Sequence, residues 1–259
     1  MKKTVQSLQV ISHRRLNSDH VVLELKSDEK LEGILPGQFA NILVEGSQKV
    51  FLRRPFSIYQ VDYNCNTISI LIKAIGDGTR ALSDQSVGDQ LSVIFPLGNG
   101  FNLPSTPAKV LLVGGGVGIA ALMILAKMLK EFGHQVVILL GAKRIEDLVE
   151  LGEFNKYGTT HTTTEDGTHG TKGYVTDHPL FEEECSSFEK IYTCGPEPMM
   201  KAVARKALIH HVNCEVSLEN TMACGYGVCL CCVTETIDGH RCVCTDGPVF
   251  DIKRLKWQI

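Results

Sequence analysis

Cys224, Cys229, Cys232 and Cys244 have the residue type and spacing to hold a metal cluster. They read C-x4-C-x2-C, followed by eleven residues and a last cysteine. This is the plant-type [2Fe–2S] pattern, with three thiolates on one tight loop and a distant fourth that closes the site. Gly225 and Gly227 let that loop fold around a cluster and point backbone N–H groups at its sulfurs. Structural zinc is the competing chemistry, and it usually presents two C-x2-C knuckles or Cys/His pairs. Here one C-x2-C is present, Cys229 to Cys232, while Cys242-Val-Cys244 is C-x-C. His240 could substitute as a ligand, but a glycine-lined x4 loop has no purpose in a knuckle. Cys231 and Cys242 fit neither the x4 nor the x2 interval. A [2Fe–2S] centre passes one electron at a time, so the remaining chain must supply a donor or an acceptor.

Three further segments carry such chemistry. Arg54-Pro55-Phe56-Ser57 offers a charge for a phosphate, an aromatic face for a flavin ring and a hydroxyl donor. Gly76-Asp-Gly78-Thr79 precedes a predicted short helix over 80–84, where Thr79 would cap a helix whose N-terminus faces a second phosphate. Gly114-Gly115-Gly116-Val117-Gly118 lies at a strand-to-helix turn, where free backbone N–H groups receive a pyrophosphate. Its sixth residue is Ile119, so it is not G-x-G-x-x-G, and no acidic residue ends the following strand. Each segment alone reads equally as an ordinary turn; their order along one chain is what gives them weight.

The elements that must position these groups change character along the chain. Val21–Leu25, Phe39–Val44, Ile68–Lys73 and Leu91–Ile94 are short apolar segments separated by Gly/Pro turns, which predicts a small β-barrel. Pro104 to Pro107 reads as a linker. Strands are then expected at Val110–Val113, Val136–Leu140, Thr159–Thr164, Lys190–Thr193 and Cys214–Leu218. Helices are expected near Ile119–Phe132, Ile145–Phe154, Asp177–Glu184 and Pro198–His211. Alternation of this kind implies an α/β doubly wound parallel sheet. About forty residues remain, too few for a whole plant-type ferredoxin domain, so a small C-terminal [2Fe–2S] module is expected. The division predicted is 1–103, 104–212 and 213–259.

Composition limits the function classes. The 259 residues carry a net charge of −3, against a nucleic-acid or anionic-membrane surface. No run reaches the roughly 18 apolar residues needed to span a bilayer. The first residues lack the apolar core of a signal peptide. Six of the ten cysteines fall between Cys224 and Cys244, which fits cluster ligation in a reducing, cytoplasmic setting better than a disulfide framework.

A barrel followed by a doubly wound domain, with these motifs in this order, resembles the ferredoxin-reductase family. That family's R-x-[YF]-[ST] segment matches Arg54, Phe56 and Ser57. Phe56 stands where tyrosine is commoner, so no tyrosyl hydroxyl contact to the flavin is expected. Its second flavin-phosphate turn matches Gly76, Gly78 and Thr79. Its late Cys-Gly-Pro segment, which lies beside the nicotinamide, matches Cys194-Gly195-Pro196. The resemblance thus implies FAD contacts at Arg54, Pro55, Phe56, Ser57, Leu71, Ile72, Lys73, Gly78 and Thr79. It implies nicotinamide-nucleotide contacts at Gly114, Gly115, Gly116, Gly118, Cys194, Gly195 and Pro196.

Residues 217–232, followed by Cys244-Thr-Asp-Gly-Pro-Val-Phe250, narrow the match. They are similar to the electron-transfer subunits of dihydroorotate dehydrogenase B, and the resemblance covers essentially the whole chain. It implies FAD, a [2Fe–2S] cluster and NAD as substrate. It also implies an FMN-containing dihydroorotate dehydrogenase catalytic subunit as partner in pyrimidine synthesis, in a two-plus-two heterotetramer. No catalytic residue for dihydroorotate itself is expected in this chain. The alternative is a subunit of the NAD(P)H–ferredoxin reductase type from another, electron-bifurcating complex. NAD is expected over NADP because Thr164-Glu165-Asp166-Gly167 places carboxylates where a 2′-phosphate would lie; Lys143 and Arg144 weigh the other way. Tyr226 and Leu230 on the cluster loop are expected to face the partner.

Overall fold

The computed structural model describes residues 4–45 and 50–259. Strands β1 (Thr4–Arg15), β2 (His20–Lys26), β3 (Phe39–Ile42), β4 (Arg54–Asp62), β5 (Thr67–Lys73) and β6 (Gln90–Leu97) close a barrel in the order β1-β2-β5-β4-β3-β6. Its interior is filled by the inward-facing alternate residues, among them Val21, Leu23, Leu25, Ile68, Ile70 and Ile72. Burial of each contributes about 1.5–3 kcal/mol. β1 and β4 were not expected as strands. β1 alternates polar residues over much of its length, and β4 opens on Arg54 and Pro55, the latter a residue depleted in strands. Pairing with neighbours overrides that local preference.

Helix α1 spans Asp77–Ser83 and starts earlier than expected. Gly76, not Thr79, is its N-cap, and Thr79 stands three residues in. The Thr79 hydroxyl reaches back to accept from the backbone N–H groups of Ile75 and Gly76, at 3.0 Å each. Thr79 therefore fixes the turn from inside the helix.

The second domain is built on β7 (Lys109–Gly115), β8 (Gln135–Ala142), β9 (Thr159–Thr164), β10 (Thr171–Lys172), β11 (Lys190–Cys194) and β12 (Asn213–Ser217), which are parallel. Helix α2 (Met123–Glu131) packs in the apolar cluster on one face, and α4 (Glu197–Ile209) in that on the other. The sheet order is β10-β9-β8-β7-β11-β12-β15, where β15 is Val249–Asp251 from the C-terminal segment and runs antiparallel. The order turns back between β7 and β11, which is where open α/β sheets bind ligands. The helix expected over Ile145–Phe154 is not continuous. It breaks at Glu150, whose φ is 63°, leaving a short 3-10 turn and the single turn α3 (Leu151–Phe154). The segment expected as a helix over Asp177–Glu184 is likewise a 3-10 turn and a π turn.

Glu150 explains its own break. Its carboxylate accepts from Arg14 at 2.7 and 2.9 Å and from the Tyr59 hydroxyl at 2.6 Å, pinning the nucleotide domain to β1 and β4. Burial opposes its ionisation, but the Arg14 and Tyr59 hydrogen bonds win and hold it below the usual carboxylate range. Glu150→Leu strands the fully buried Tyr59 hydroxyl. It should cost about 1–3 kcal/mol, read as a lower urea midpoint with unchanged slope.

The C-terminal segment adds a hairpin, β13 (Val233–Thr236) with β14 (Gly239–Cys242), and then β15. It has no separate core. Cys232, Val243, Cys244, Phe250 and Leu255 join the apolar cluster under α4, together with Phe39 and Leu97 of the barrel. Some forty residues bury too little surface to stand alone, so this module is built onto both other domains.

Candidate functional site

The first cavity, of 530 Å³, lies between the barrel, the glycine turn and the start of the C-terminal module. Arg54, Pro55, Phe56, Ser57, Leu71, Lys73 and Thr79 all line it. Ile72 does not: its side chain is in the barrel interior, because alternate residues of β5 face opposite sides, and it offers the cavity main chain at most. Gly78 lies against Arg54, where a Cβ would stand 2.8 Å from Nε. The bare backbone of α1 thus lets the guanidinium lie across its first turn, a pairing suited to a phosphate.

The remaining wall was not foreseen from the sequence. Phe39 and the stretch from Ser217 to Met222 complete the cavity. Glu219 Oε1 accepts a contact from Cys194 Sγ at 3.7 Å. Burial pushes the Cys194 thiol well up, so it stays protonated and can donate but not attack. The signal for Glu219 lay inside the C-terminal segment, which reads as cluster-binding rather than flavin-facing.

The second cavity, of 430 Å³, opens at the turn-back point of the sheet. Gly115, Gly116 and Pro196 line it, with Lys143, Asp147 and Glu165 at its polar end. Gly114, Gly118, Cys194 and Gly195 do not. Gly114 pairs with Cys194 in the sheet and packs on Ile119. Gly118 and Gly195 let two main chains touch: a Cβ on Gly118 would lie 2.6 Å from Gly195 Cα. These residues set the spacing of the two ligand-bearing turns. Lys73 lines both cavities, and Val117 and Ala120 continue the glycine turn into the first, so the cavities abut.

The cysteine loop begins two residues after the first cavity's wall ends at Met222. Among the described residues no three metal-binding side chains gather around one ion. Cys224, Cys229, Cys232 and Cys244 are the four thiolates that a [2Fe–2S] cluster would take. Backbone N–H groups point at the sulfurs: Tyr226 at Cys224 (3.3 Å), Gly227 at Cys244 (3.1 Å) and Cys244 at Cys232 (3.4 Å). Burial works against the Cys224 thiolate, yet backbone N–H groups, that of Cys229 foremost, bring its pKa down to about 6. Donor chemistry and loop geometry therefore fit a [2Fe–2S] cluster. Gly225 and Gly227, at φ of 76° and 79°, make the turn. Cys231 is exposed, and the Cys242 backbone N–H bonds to Asp246 instead (2.8 Å).

Residues 7–101 match the oxidoreductase FAD-binding domain, residues 112–205 the oxidoreductase NAD-binding domain, and residues 219–256 the iron-sulfur cluster binding domain of dihydroorotate dehydrogenase B. The electron transfer subunit of dihydroorotate dehydrogenase B (NAD(+)) from Bacillus caldolyticus is 38% identical, covering 96% of this chain and 95% of that one. The subunit of the same name from Caldanaerobacter subterraneus subsp. tengcongensis is 41% identical, covering 93% and 94%. The chain belongs to this family. It is an NAD-linked iron–sulfur flavoprotein component of an oxidoreductase. Among solved structures, an NADH-dependent reduced ferredoxin-NADP oxidoreductase superposes with a TM-score of 0.87 at 31% identity, covering 96% of this chain and 90% of that chain. The ferredoxin reductase in carbazole 1,9a-dioxygenase, at 24% identity and a TM-score of 0.72, shares the fold. No helix among the described residues is long and apolar enough to cross a membrane.

Proposed function

We propose that this chain passes electrons between an FMN-containing dihydroorotate dehydrogenase subunit and NAD, in a two-plus-two assembly in the cytoplasm. Residues 1–103 hold FAD, residues 104–212 take NAD, and residues 213–259 hold the [2Fe–2S] cluster. The observation that carries the reading is the serial arrangement of three sites: the nucleotide cavity abuts the flavin cavity at Lys73, and the wall of the flavin cavity runs into the cysteine loop. When bound, these groups supply hydride exchange, conversion between paired and single electrons, and single-electron passage, in that order.

The chain's own residues orient and insulate. Arg54 and the start of α1 take phosphate, Phe56 offers a ring face, and Phe39 and Met222 keep water from the end nearest the cysteines. Cys194, held as a thiol, donates to Glu219 in the wall of the flavin cavity. Gly115 and Gly116 bring main chain to the dinucleotide. Cys224, Cys229, Cys232 and Cys244 are the cluster ligands. Val228 and Leu230, 81% and 62% exposed, form the face for the FMN subunit with Tyr226.

Anaerobic titration of the purified chain with NADH tests this. Bleaching of a flavin band and a broad iron–sulfur band together supports it; zinc in place of iron would sink it. The isolated chain should not oxidise dihydroorotate, and adding the FMN subunit should restore dihydroorotate-dependent NAD+ reduction.

Glu165 and Asp147 stand in the nucleotide cavity with Lys143, while Arg144, the other counter-charge, is drawn to Glu146 and Asp147 at 3.9 and 3.6 Å. NADH should therefore outperform NADPH. Glu165→Gln should narrow the kcat/KM gap about tenfold, the effect of one like-charge contact of about 1.4 kcal/mol. Equal use of both by the unaltered chain would refute the discrimination.

The likeness to the NADH-dependent reduced ferredoxin-NADP oxidoreductase favours a second reading, a component of a bifurcating complex. Reduction of the cluster by dihydroorotate through the FMN subunit separates the two.

A further inference from the structure

Asn41 lies in β3, with 0% of its surface exposed. Neither its Oδ1 nor its Nδ2 has a hydrogen-bond partner. An unmet buried polar group costs about 1–3 kcal/mol, so an asparagine at this place needs a reason. Its strand neighbours Ala40 and Ile42 point into the barrel, whereas Phe39 points outward into the core shared with the cluster module. Asn41 shares Phe39's face by strand alternation. What it meets there is the cysteine loop: a Cβ on Gly225 would stand 3.0 Å from Asn41 Nδ2 and 3.2 Å from Leu97 Cδ1. Gly225 directly follows Cys224. A bare amide therefore lies beneath the turn that carries the first cluster ligand, beside Leu97.

We propose that Asn41 donates a side-chain N–H to a sulfur of the cluster and so raises its reduction potential. The inference rests on the cluster reading above and adds to it a contribution from the flavin domain. Cluster sulfurs are acceptors only, and they carry more negative charge once the electron has arrived. A donor in a site of low dielectric therefore stabilises the reduced form more than the oxidised one. The loop supplies main-chain donors of its own; Asn41 is a side-chain donor from outside the module. Through β3 it is also tied to the flavin motif, since Asn41 pairs with Pro55 of β4. The barrel thus tunes the cluster as well as holding the flavin. Asn41 is a positioning and tuning residue, with no part in the chemistry of NAD.

The test uses the full chain in complex with its FMN subunit. Asn41→Leu keeps the side chain's size and removes the donor. Redox titration followed by electron paramagnetic resonance should show the cluster midpoint more negative by about 59 mV, a tenfold change in a one-electron equilibrium. The FAD midpoint should stay in place. A second measurement needs no variant. Unaltered protein labelled with 15N in the asparagine side-chain amide should show a hyperfine coupling to the reduced cluster. An unchanged cluster midpoint in the variant, or no such coupling in the labelled protein, overturns the proposal. Iron and sulfide analysis of the same unaltered sample separates the cases. If both are missing, the cluster reading fails and Asn41's role falls with it; if both are present, only the role of Asn41 is in question.

Discussion

Cys244→Ser should yield a chain that still binds FAD and is still reduced by NADH, yet holds no [2Fe–2S] cluster and passes nothing to its partner. Cys244 is 1% exposed, its backbone N–H donates to Cys232 Sγ at 3.4 Å, and its Sγ accepts the Gly227 N–H at 3.1 Å. A serine hydroxyl is a poor thiolate substitute, and no water can reach so enclosed a position to replace it. Removing a group that merely hydrogen-bonds to a metal ligand costs about 10–100-fold, so loss of a ligand itself should lower partner-linked turnover by more than about 100-fold. Flavin reduction by NADH should change little, because Cys244 lines neither cavity. Stability should fall too. The thiol shares its core with Phe250 and Leu255, and metal binding adds folding free energy where the site forms only on folding. Cys231→Ser is the control: Cys231 is exposed, and its replacement should leave iron content and turnover intact. Loss of the cluster from the Cys231 variant, with retention in the Cys244 variant, would reverse the ligand assignment.

What the sequence made legible was whatever is local. The x4 and x2 intervals, the glycine turns at 114–118 and 225–227, and Arg54-Pro55-Phe56-Ser57 are short runs whose spacing already contains the chemistry. The barrel and the wound sheet followed from period and turn residues, since a buried strand such as Val110–Val113 has few other ways to satisfy its backbone. What stayed hidden depends on partners far along the chain. β1 looks polar because one side faces water, and β4 opens on residues that only pairing with β3 and β5 makes extended. The Ile145–Phe154 segment has helical composition, but Glu150 is claimed by Arg14 and Tyr59 across the domain boundary, and the helix gives way there. Glu219 and Asn41 carry no motif. One gains meaning from Cys194 and the other from Gly225, and neither neighbour can be inferred from spacing. Cys194, expected beside the nicotinamide, lies in β11 as a sheet residue that aligns with Gly114 rather than as a wall of the nucleotide cavity.

Gly118→Ala should disable nucleotide binding from a position that touches neither cavity. The added Cβ would lie 2.6 Å from both Cα and N of Gly195 and 2.7 Å from the Cys194 carbonyl carbon. These are backbone atoms, held by the pairing of β11 with β7 and β12, so no rotamer change relieves the contact. Little room lies on the far side of Gly195, where a Cβ would meet Met199 Cε at 2.8 Å and Gly115 at 3.0 Å. The two turns must part, and the residues on either side of Gly118 move with them: Gly115 and Gly116 in the nucleotide cavity, Val117 and Ala120 in the flavin cavity. Overpacking of this kind costs about 1–3 kcal/mol of stability. Misplacement of reacting groups by about 1 Å costs up to about 100-fold in rate, so the larger loss should appear in kcat/KM for flavin reduction by NADH. Gly152→Ala supplies the comparison. It adds the same methyl in α3, where a Cβ meets nothing within 4 Å, and should be neutral or stabilising by about 0.5–1 kcal/mol. Stopped-flow reduction and thermal unfolding of the two variants side by side would separate contact between the turns from the general effect of removing a glycine. A Gly118→Ala chain with unaltered NADH kinetics would mean that the turns are free to move apart without consequence, and that the abutting cavities do not depend on this contact for their alignment.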